Sequence, residues 1–321
     1  VNYIVLDLEW NQGSAPRTEQ KPALTFEIIE IGAVKLDEQG HILDHFQHYV
    51  YPKVYDKMHY MTKEVTKITI KELKQKGRPF REVMDAFIKW CGEDYRFCIW
   101  GDMDLTELQK NCDYYNMNGL FPKPLYYYDL QKLFSLQYED GKSRRNLKSA
   151  VEFLNLPEKQ AYHGAYADAC YTAEILQKLS MERYGRFLSV DYYALPQSKE
   201  EELRLNFGTY SKYISREFET KELAMMDRGV VATTCYKCHK NLRKKIRWFT
   251  SNGKQFYALS YCPEHGWLKG KIRMKKGKNG GVFVVKTEKL VDETVAEEIR
   301  KKQADVRKRR ERLRKHHITK N

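Results

Sequence analysis

The feature that most constrains this chain is the stretch IVLDLEW at residues 4–10. Ile4, Val5, Leu6 and Leu8 read as a buried strand, yet Asp7 and Glu9 interrupt it. Carboxylates are seldom fully buried without a partner. In a strand, residues two apart share one face at about 7 Å spacing, so Asp7 and Glu9 stand side by side, opposite Leu6 and Leu8. Two parallel anions repel and need neutralising. A hard divalent cation does this well, since Mg2+ takes carboxylate and water oxygens and pairs naturally with phosphates. On these two residues alone, a solvated strand face is the alternative.

The first 185 residues alternate strands and helices. YIVLDLEW, TFEIIEIGAVKL and HFQHYVYP read as three successive strands. The helix PFREVMDAFIKWCG then leads to a strand RFCIWG, a helix DLTELQKNCDYYN and a strand PLYYYDL. Helices follow at NLKSAVEFLNL and ADACYTAEILQKLSMERYG. Three strands followed by strand–helix alternation predict an α/β fold on a mixed sheet. Residues 186–228 are charged and predicted to be a helical connector. From 229 to 290 the texture is β-rich, with the hairpin signal Asn252-Gly253 and a glycine-rich loop in KGKNGG. Residues 291–321 predict a basic helical tail.

Charge divides sharply along the chain. Residues 226–321 hold 27 Lys and Arg against 9 Asp and Glu, a net of +18, which leaves −4 for the remainder of a chain at +14. That asymmetry points to a polyanion-binding appendage on a near-neutral body. No apolar run approaches the roughly 18 residues of a membrane span, so no membrane association is expected. Cys91, Cys98, Cys112 and Cys170 are scattered while Cys235, Cys238 and Cys262 cluster. This is not a disulfide framework, and it predicts a cytoplasmic protein.

Two further features carry chemistry. Asp102 and Asp104 follow the strand ending at Trp100-Gly101, and either could reach a site at its C-terminal end or cap the next helix. In HGAYADA, His163 lies in a loop of small residues, and Asp168 begins an amphipathic helix five residues later. Histidine titrates near neutrality and suits a general base.

The combination of Asp7-x-Glu9, Trp100-Gly101-Asp102-Met103-Asp104 and His163-x4-Asp168 resembles the DEDDh exonucleases, the DnaQ-like group with a ribonuclease H-like fold. EIIEIGAVKLD, WGDMD and HGAYADA look most similar to the ERI-like and KapD-like members. The resemblance covers residues 1 to about 182. It implies that Asp7, Glu9, Asp104 and Asp168 hold two Mg2+ or Mn2+ ions about 4 Å apart, with His163 as general base and Asp102 the alternative to Asp104. The implied product is a nucleoside 5′-monophosphate, released in the 3′-to-5′ direction. Trp10 stands where many relatives carry a small polar residue; it could lie beneath a terminal nucleotide or belong to the core. The role of Glu30 is open.

Cys235-x2-Cys238 is followed by Cys262-x2-His265, with a hairpin between the pairs. Two such knuckles predict a zinc-ribbon-like module around one structural Zn2+, since tetrahedral zinc takes two ligands from each tight turn. His265 fits the fourth position and His239 is the substitute. Arg243, Lys244, Lys245, Arg247, Trp248, Lys269, Lys271 and Arg273 interleave bases with aromatics, as single-strand-binding surfaces do. A ribbon core with a solvated basic face is the bland reading. The tail could contact ribosomes or ribonucleoproteins electrostatically. The expected function is a metal-dependent exonuclease acting on single-stranded 3′ ends, RNA in preference to DNA. A DNA exonuclease and a silent RNA-binding protein are the alternatives.

Overall fold

The computed structural model describes residues 1–13 and 24–318. The chain divides into two units, Val1–Ala194 and Leu195–Asn321. In the first, β1 (Asn2–Gln12), β2 (Phe26–Leu36) and β3 (Ile42–Tyr49) form an antiparallel meander. Helices α1 (Tyr60–Thr66), α2 (Ile70–Lys76) and α3 (Phe80–Cys91) lead to β4 (Tyr95–Ile99), parallel to β1. Next come α4 (Asp104–Tyr114) and β5 (Tyr126–Asp129), the latter parallel to β4. After α5 (Leu130–Tyr138), α6 (Leu147–Phe153), α7 (Ala165–Lys178) and α8 (Met181–Tyr184), a short β6 (Ser189–Val190) pairs antiparallel with β5. The sheet order is β3-β2-β1-β4-β5-β6, the mixed α/β sheet that the sequence led us to expect.

β1 lies centrally and separates two cores. Leu6 and Leu8 face Phe80, Val83, Met84 and Phe87 of α3 and Leu105 and Leu108 of α4. Val5 faces Leu130 and Phe134 of α5, Val151 of α6 and Ala169, Ala173 and Leu176 of α7. Helix α3 forms where it does because Phe80, Val83, Met84, Phe87 and Cys91 make one apolar stripe, and it stops at Gly92 with φ 85°. Fully burying such side chains contributes about 1.5–3 kcal/mol each. Asp7 and Glu9 occupy the Val5 side, near the end of β1.

Helices α1, α2 and α5 were not legible in sequence; α1 buries no residue and so leaves no periodic signature. The long helix expected over 167–185 is two, because the Ser180 side chain caps a new start at α8.

The second unit holds β7 (Leu203–Asn206), β8 (Ser211–Ile214), α9 (Lys221–Met226), α10 (Arg228–Val231), β9 (Lys244–Thr250), β10 (Gln255–Cys262), β11 (Gly266–Lys276), β12 (Val282–Val291) and α11 (Glu293–Ile318). Its antiparallel sheet runs β7-β8-β12-β11-β10-β9. This corrects the helical connector at 186–228. Ser189–Val190 belongs to the first sheet, β7 and β8 extend the second, and helix is confined to two short pieces. The charged run Glu200–Glu202 masked the two-residue alternation of Leu203 and Leu205 that makes β7. The basic helix is likewise no separate tail. Ala296, Ile299 and Val306 of α11 close over Ile246, Phe249 and Leu259 of the sheet. Among the described residues, no helix is long and apolar enough to cross a membrane.

Candidate active site and metal centre

Asp7 and Glu9 come from β1, and Asp168 from the first turn of α7. Each offers a carboxylate oxygen, and the three lie within 4.8 Å of one another. Asp104 opens α4, is 7% exposed, and accepts the backbone N–H of Leu8. Its charge acts directly on Asp7 and Glu9. Asp102 is exposed and acts on Asp104 instead, so Asp104 is the residue turned to the cluster.

Burial, then repulsion from Asp104, Asp168, Glu9 and Glu30, holds the Asp7 carboxyl well above the usual carboxylate range. Burial followed by Asp168, Glu30 and Asp104 pushes Glu9 up to about 8. Burial likewise takes Asp104 to about 7 and Asp168 to about 6. No lysine or arginine pairs with any of the four among the described residues. A crowd of carboxylates with hard oxygen donors and no protein cation is the donor set that Mg2+ or Mn2+ fits.

The approach of α7 to β2 sets this geometry. A Cβ on Gly32 would lie 2.1 Å from the Tyr166 nitrogen and 2.2 Å from the Ala165 carbonyl carbon, so only glycine lets the helix start come so near. Beside it, buried Glu30 accepts the Ala165 N–H at 3.1 Å and the Gln47 side-chain amide at 2.8 Å. Glu30 therefore holds the helix start that carries Asp168. Gly32 and Gln47 were not singled out from sequence; the available signal was an acid and a glycine inside the apolar run EIIEIG.

His163 is exposed, at φ 68°, in the left-handed region that few non-glycine residues adopt. Its backbone N–H points at both Asp168 oxygens, at 3.3 and 3.4 Å, which leaves the imidazole to solvent. Trp10 corrects one expectation. A register shift separates Glu9 from Trp10, and the indole follows the Leu6–Leu8 side, packing on Phe26 at 5.7 Å between centroids. It belongs to the core opposite the acids.

In the second unit, Cys235, Cys238, Cys262 and His265 bring their ligand atoms within 4.8 Å. Cys235 Sγ and Cys262 Sγ each lie 3.6 Å from His265 Nδ1, and Cys238 Sγ lies 3.6 Å from Cys262 Sγ. A tetrahedron with Zn–S bonds of about 2.3 Å has edges of similar length. Burial opposes ionisation of Cys262, but hydrogen bonds from His265, the Glu264 N–H and Cys238 hold its thiol down at about 6. His239, in the turn of the first knuckle with φ 59°, is not in the group. These residues could hold a closed, four-ligand metal ion.

The basic and aromatic residues separate. Lys269, Lys271 and Arg273 share one face of β11. Trp248 instead sets its ring against Gly270 and donates to Val231 O at 2.9 Å, in the core with Ile272 and Val284; this corrects its reading as a stacking platform. Lys244 acts on buried Lys286 and Glu288, while Arg243, Lys245 and Arg247 are exposed at or beside edge strand β9.

Residues 4–176 match the exonuclease family model RNase_T. No curated protein matches the chain significantly. Among solved structures, a full-length 3′-exonuclease is similar at 20% identity and TM-score 0.48, over 59% of this chain and 62% of that one. The nuclease domain of 3′hExo, a DEDDh family member bound to rAMP, gives 20% and 0.49 over 59% and 96%. Pop2p of S. pombe, in its Mg2+- and Mn2+-bound form, gives 17% and 0.45 over 60% and 90%. The matched family span contains Asp7, Glu9, Asp104, His163 and Asp168, and the chain belongs to this exonuclease family.

Proposed function

We propose that the chain is a divalent-metal-dependent 3′-to-5′ exonuclease that trims RNA ends and releases nucleoside 5′-monophosphates. The carrying observation is the convergence of Asp7, Glu9 and Asp168 within 4.8 Å, with Asp104 beside them and, among the described residues, no lysine or arginine paired with them. The four acids would hold two Mg2+ or Mn2+ ions, which when bound supply a more acidic attacking water and charge neutralisation at the departing 3′ oxygen. His163 takes the water's proton; its exposed imidazole is free to swing to the nucleophile, while its backbone stays tied to Asp168. Glu30 and Gly32 keep Asp168 in register with Asp7 and Glu9. A structural Zn2+ on Cys235, Cys238, Cys262 and His265 would clamp the β10–β11 turn to the first knuckle. The preference for RNA is supported by the net +18 of residues 226–321, which suits a structured polyanion.

The deciding experiment is digestion of end-labelled RNA and DNA strands with and without Mg2+. A ladder shortening from the 3′ end of RNA, faster than DNA, is expected. Faster loss of DNA would make this a DNA exonuclease, and no cleavage of either with Mg2+ or Mn2+ would sink the enzymatic reading.

A further inference from the structure

Strand β11 alternates strictly. Leu268, Gly270 and Ile272 are buried on one side, and Lys269, Lys271 and Arg273 project from the other. Helix α11 covers part of that other side, with Ala296, Ile299 and Val306 over Ile246, Phe249 and Leu259 and with Arg300 over the Trp267 ring, while Lys269 and Lys271 stay half-buried and Arg273 is exposed. Their neighbours add to the charge. Lys269 stands directly across from Lys289 of β12, a like-charged pairing that costs a sheet stability. Lys271 stands across from Tyr257 of β10, with its Nζ 5.7 Å from the ring centroid. From α11, the Lys302 Nζ reaches the same ring at 4.0 Å.

Nothing in the fold offsets this. The ion pairs of the unit lie elsewhere, joining Arg216 to Glu202 and Asp227, Lys240 to Glu264, and Arg300 to Glu293 and Glu297. Among the described residues, no acid pairs with Lys269, Lys271, Arg273, Lys289 or Lys302. The field they create is legible in Tyr257: burial raises its phenol, yet Lys302, Lys271 and Lys269 bring it below its ordinary value. Lys271 is lowered by burial and then by Arg273. Repulsion of this kind opposes folding, so an anion is its natural complement.

We infer that β11 and the flank of α11 form a track for the phosphates of a single nucleic-acid strand, contacted by Lys269, Lys271, Arg273 and Lys302, with Lys289 at its edge. A straight row of charges at about 7 Å steps suits consecutive phosphates of one extended backbone better than the two strands of a duplex. Tyr257 acts as a post that gathers Lys271 and Lys302 by cation–π attraction. The inference rests on the exonuclease reading for its occupant.

The test is fluorescence anisotropy with fluorescein-labelled 20-nucleotide RNA and DNA single strands, on full-length protein as isolated, without chelator or added Mg2+ or Mn2+, between 50 and 300 mM KCl. The triple variant Lys269→Gln/Lys271→Gln/Arg273→Gln should bind at least 10-fold more weakly. The slope of log affinity against log salt should become shallower by about 2, since each phosphate contact on a single strand contributes about 0.7. The control Lys71→Gln/Lys74→Gln, two exposed cations of α2, should change affinity less than 2-fold. Melting temperature should hold or rise in the triple variant, because repulsion has been removed. If it falls instead, single Lys271→Gln serves, with an expected slope change of about 0.7. Unchanged affinity and slope, or an equal loss in the control, overturns the track. Hydrolysis of a dinucleotide with Mg2+ by the wild type, a substrate too short to fill the track, tests the exonuclease reading separately. Its absence in wild type would refute the exonuclease reading while leaving the binding result to judge the track.

Discussion

Asp7 and Glu9 carry an electrostatic burden because burial and neighbouring carboxylates act in the same direction on both. Their pKa values, with those of Asp104 and Asp168, are raised in the folded chain. The folded state therefore keeps protons that the unfolded state gives up, and stability falls as pH climbs from the ordinary carboxylate range towards about 8, the value of Glu9. Metal-free protein should melt at a lower temperature at pH 8 than at pH 5. A penalty of about 2 kcal/mol corresponds to roughly 4–8 °C in a domain of this size. Added Mg2+ should reverse the loss at pH 8. Asp7→Asn should blunt both the pH effect and the Mg2+ response in a thermal-shift titration; if Mg2+ leaves wild-type melting unmoved, the acids are not its site. In the proposed reaction His163 is the general base. His163→Ala should cut kcat by about 10²–10⁴, with the Mg2+-induced rise in melting temperature intact.

At the level of elements, the site depends on how closely α7 meets β2. Gly32→Ala places a methyl group against the Ala165 and Tyr166 backbone, which cannot yield without moving the helix start. Overpacking of this kind costs about 1–3 kcal/mol, and activity should fall with stability because Asp168 moves with the helix. Glu30→Leu should cost a similar amount, since it strips acceptors from the Ala165 N–H and the Gln47 amide. Chemical denaturation and exonuclease rate on the same samples would check both, and a Glu30→Leu protein of native stability and rate would refute its role. Much at this scale was legible in the sequence. The strand of Asp7, the apolar stripe of α3 and the amphipathic helix that Asp168 opens all announce themselves by periodicity. β7 did not, because a four-residue strand with a charged run before it gives too short an alternation to outweigh a helical reading.

For the whole molecule, the second unit is larger than a ribbon. Its six-stranded sheet carries α9 and α10 residues Ala224 and Val230 in one core and α11 in the other, and the Cys/His group sits at one end of β10 and β11. Removing the metal should loosen that end first. Freshly purified protein should contain about one zinc per chain, and Cys238→Ser should lose it and lower the melting temperature. Colorimetric metal release on denaturation, beside a thermal scan, would check this; protein isolated without zinc would argue against the site.

The sequence by itself determined which candidate ligands stand together locally. Acid spacing along one strand, His-x4-Asp before a helix and paired Cys/His knuckles are local patterns, fixed by the two-residue repeat of strands and the tightness of turns. Tertiary structure decided what local pattern cannot carry. It set Asp104, and not Asp102, beside the acids of β1, because the first turn of α4 faces that strand, and His265, and not His239, among the three cysteines, because the second knuckle folds back on the first. It took Trp10 and Trp248 into the cores, since sheet faces are assigned by what covers them. It also gave Glu30 a function, as the acceptor for a helix start 135 residues along the chain, a contact that no reading of neighbouring residues contains.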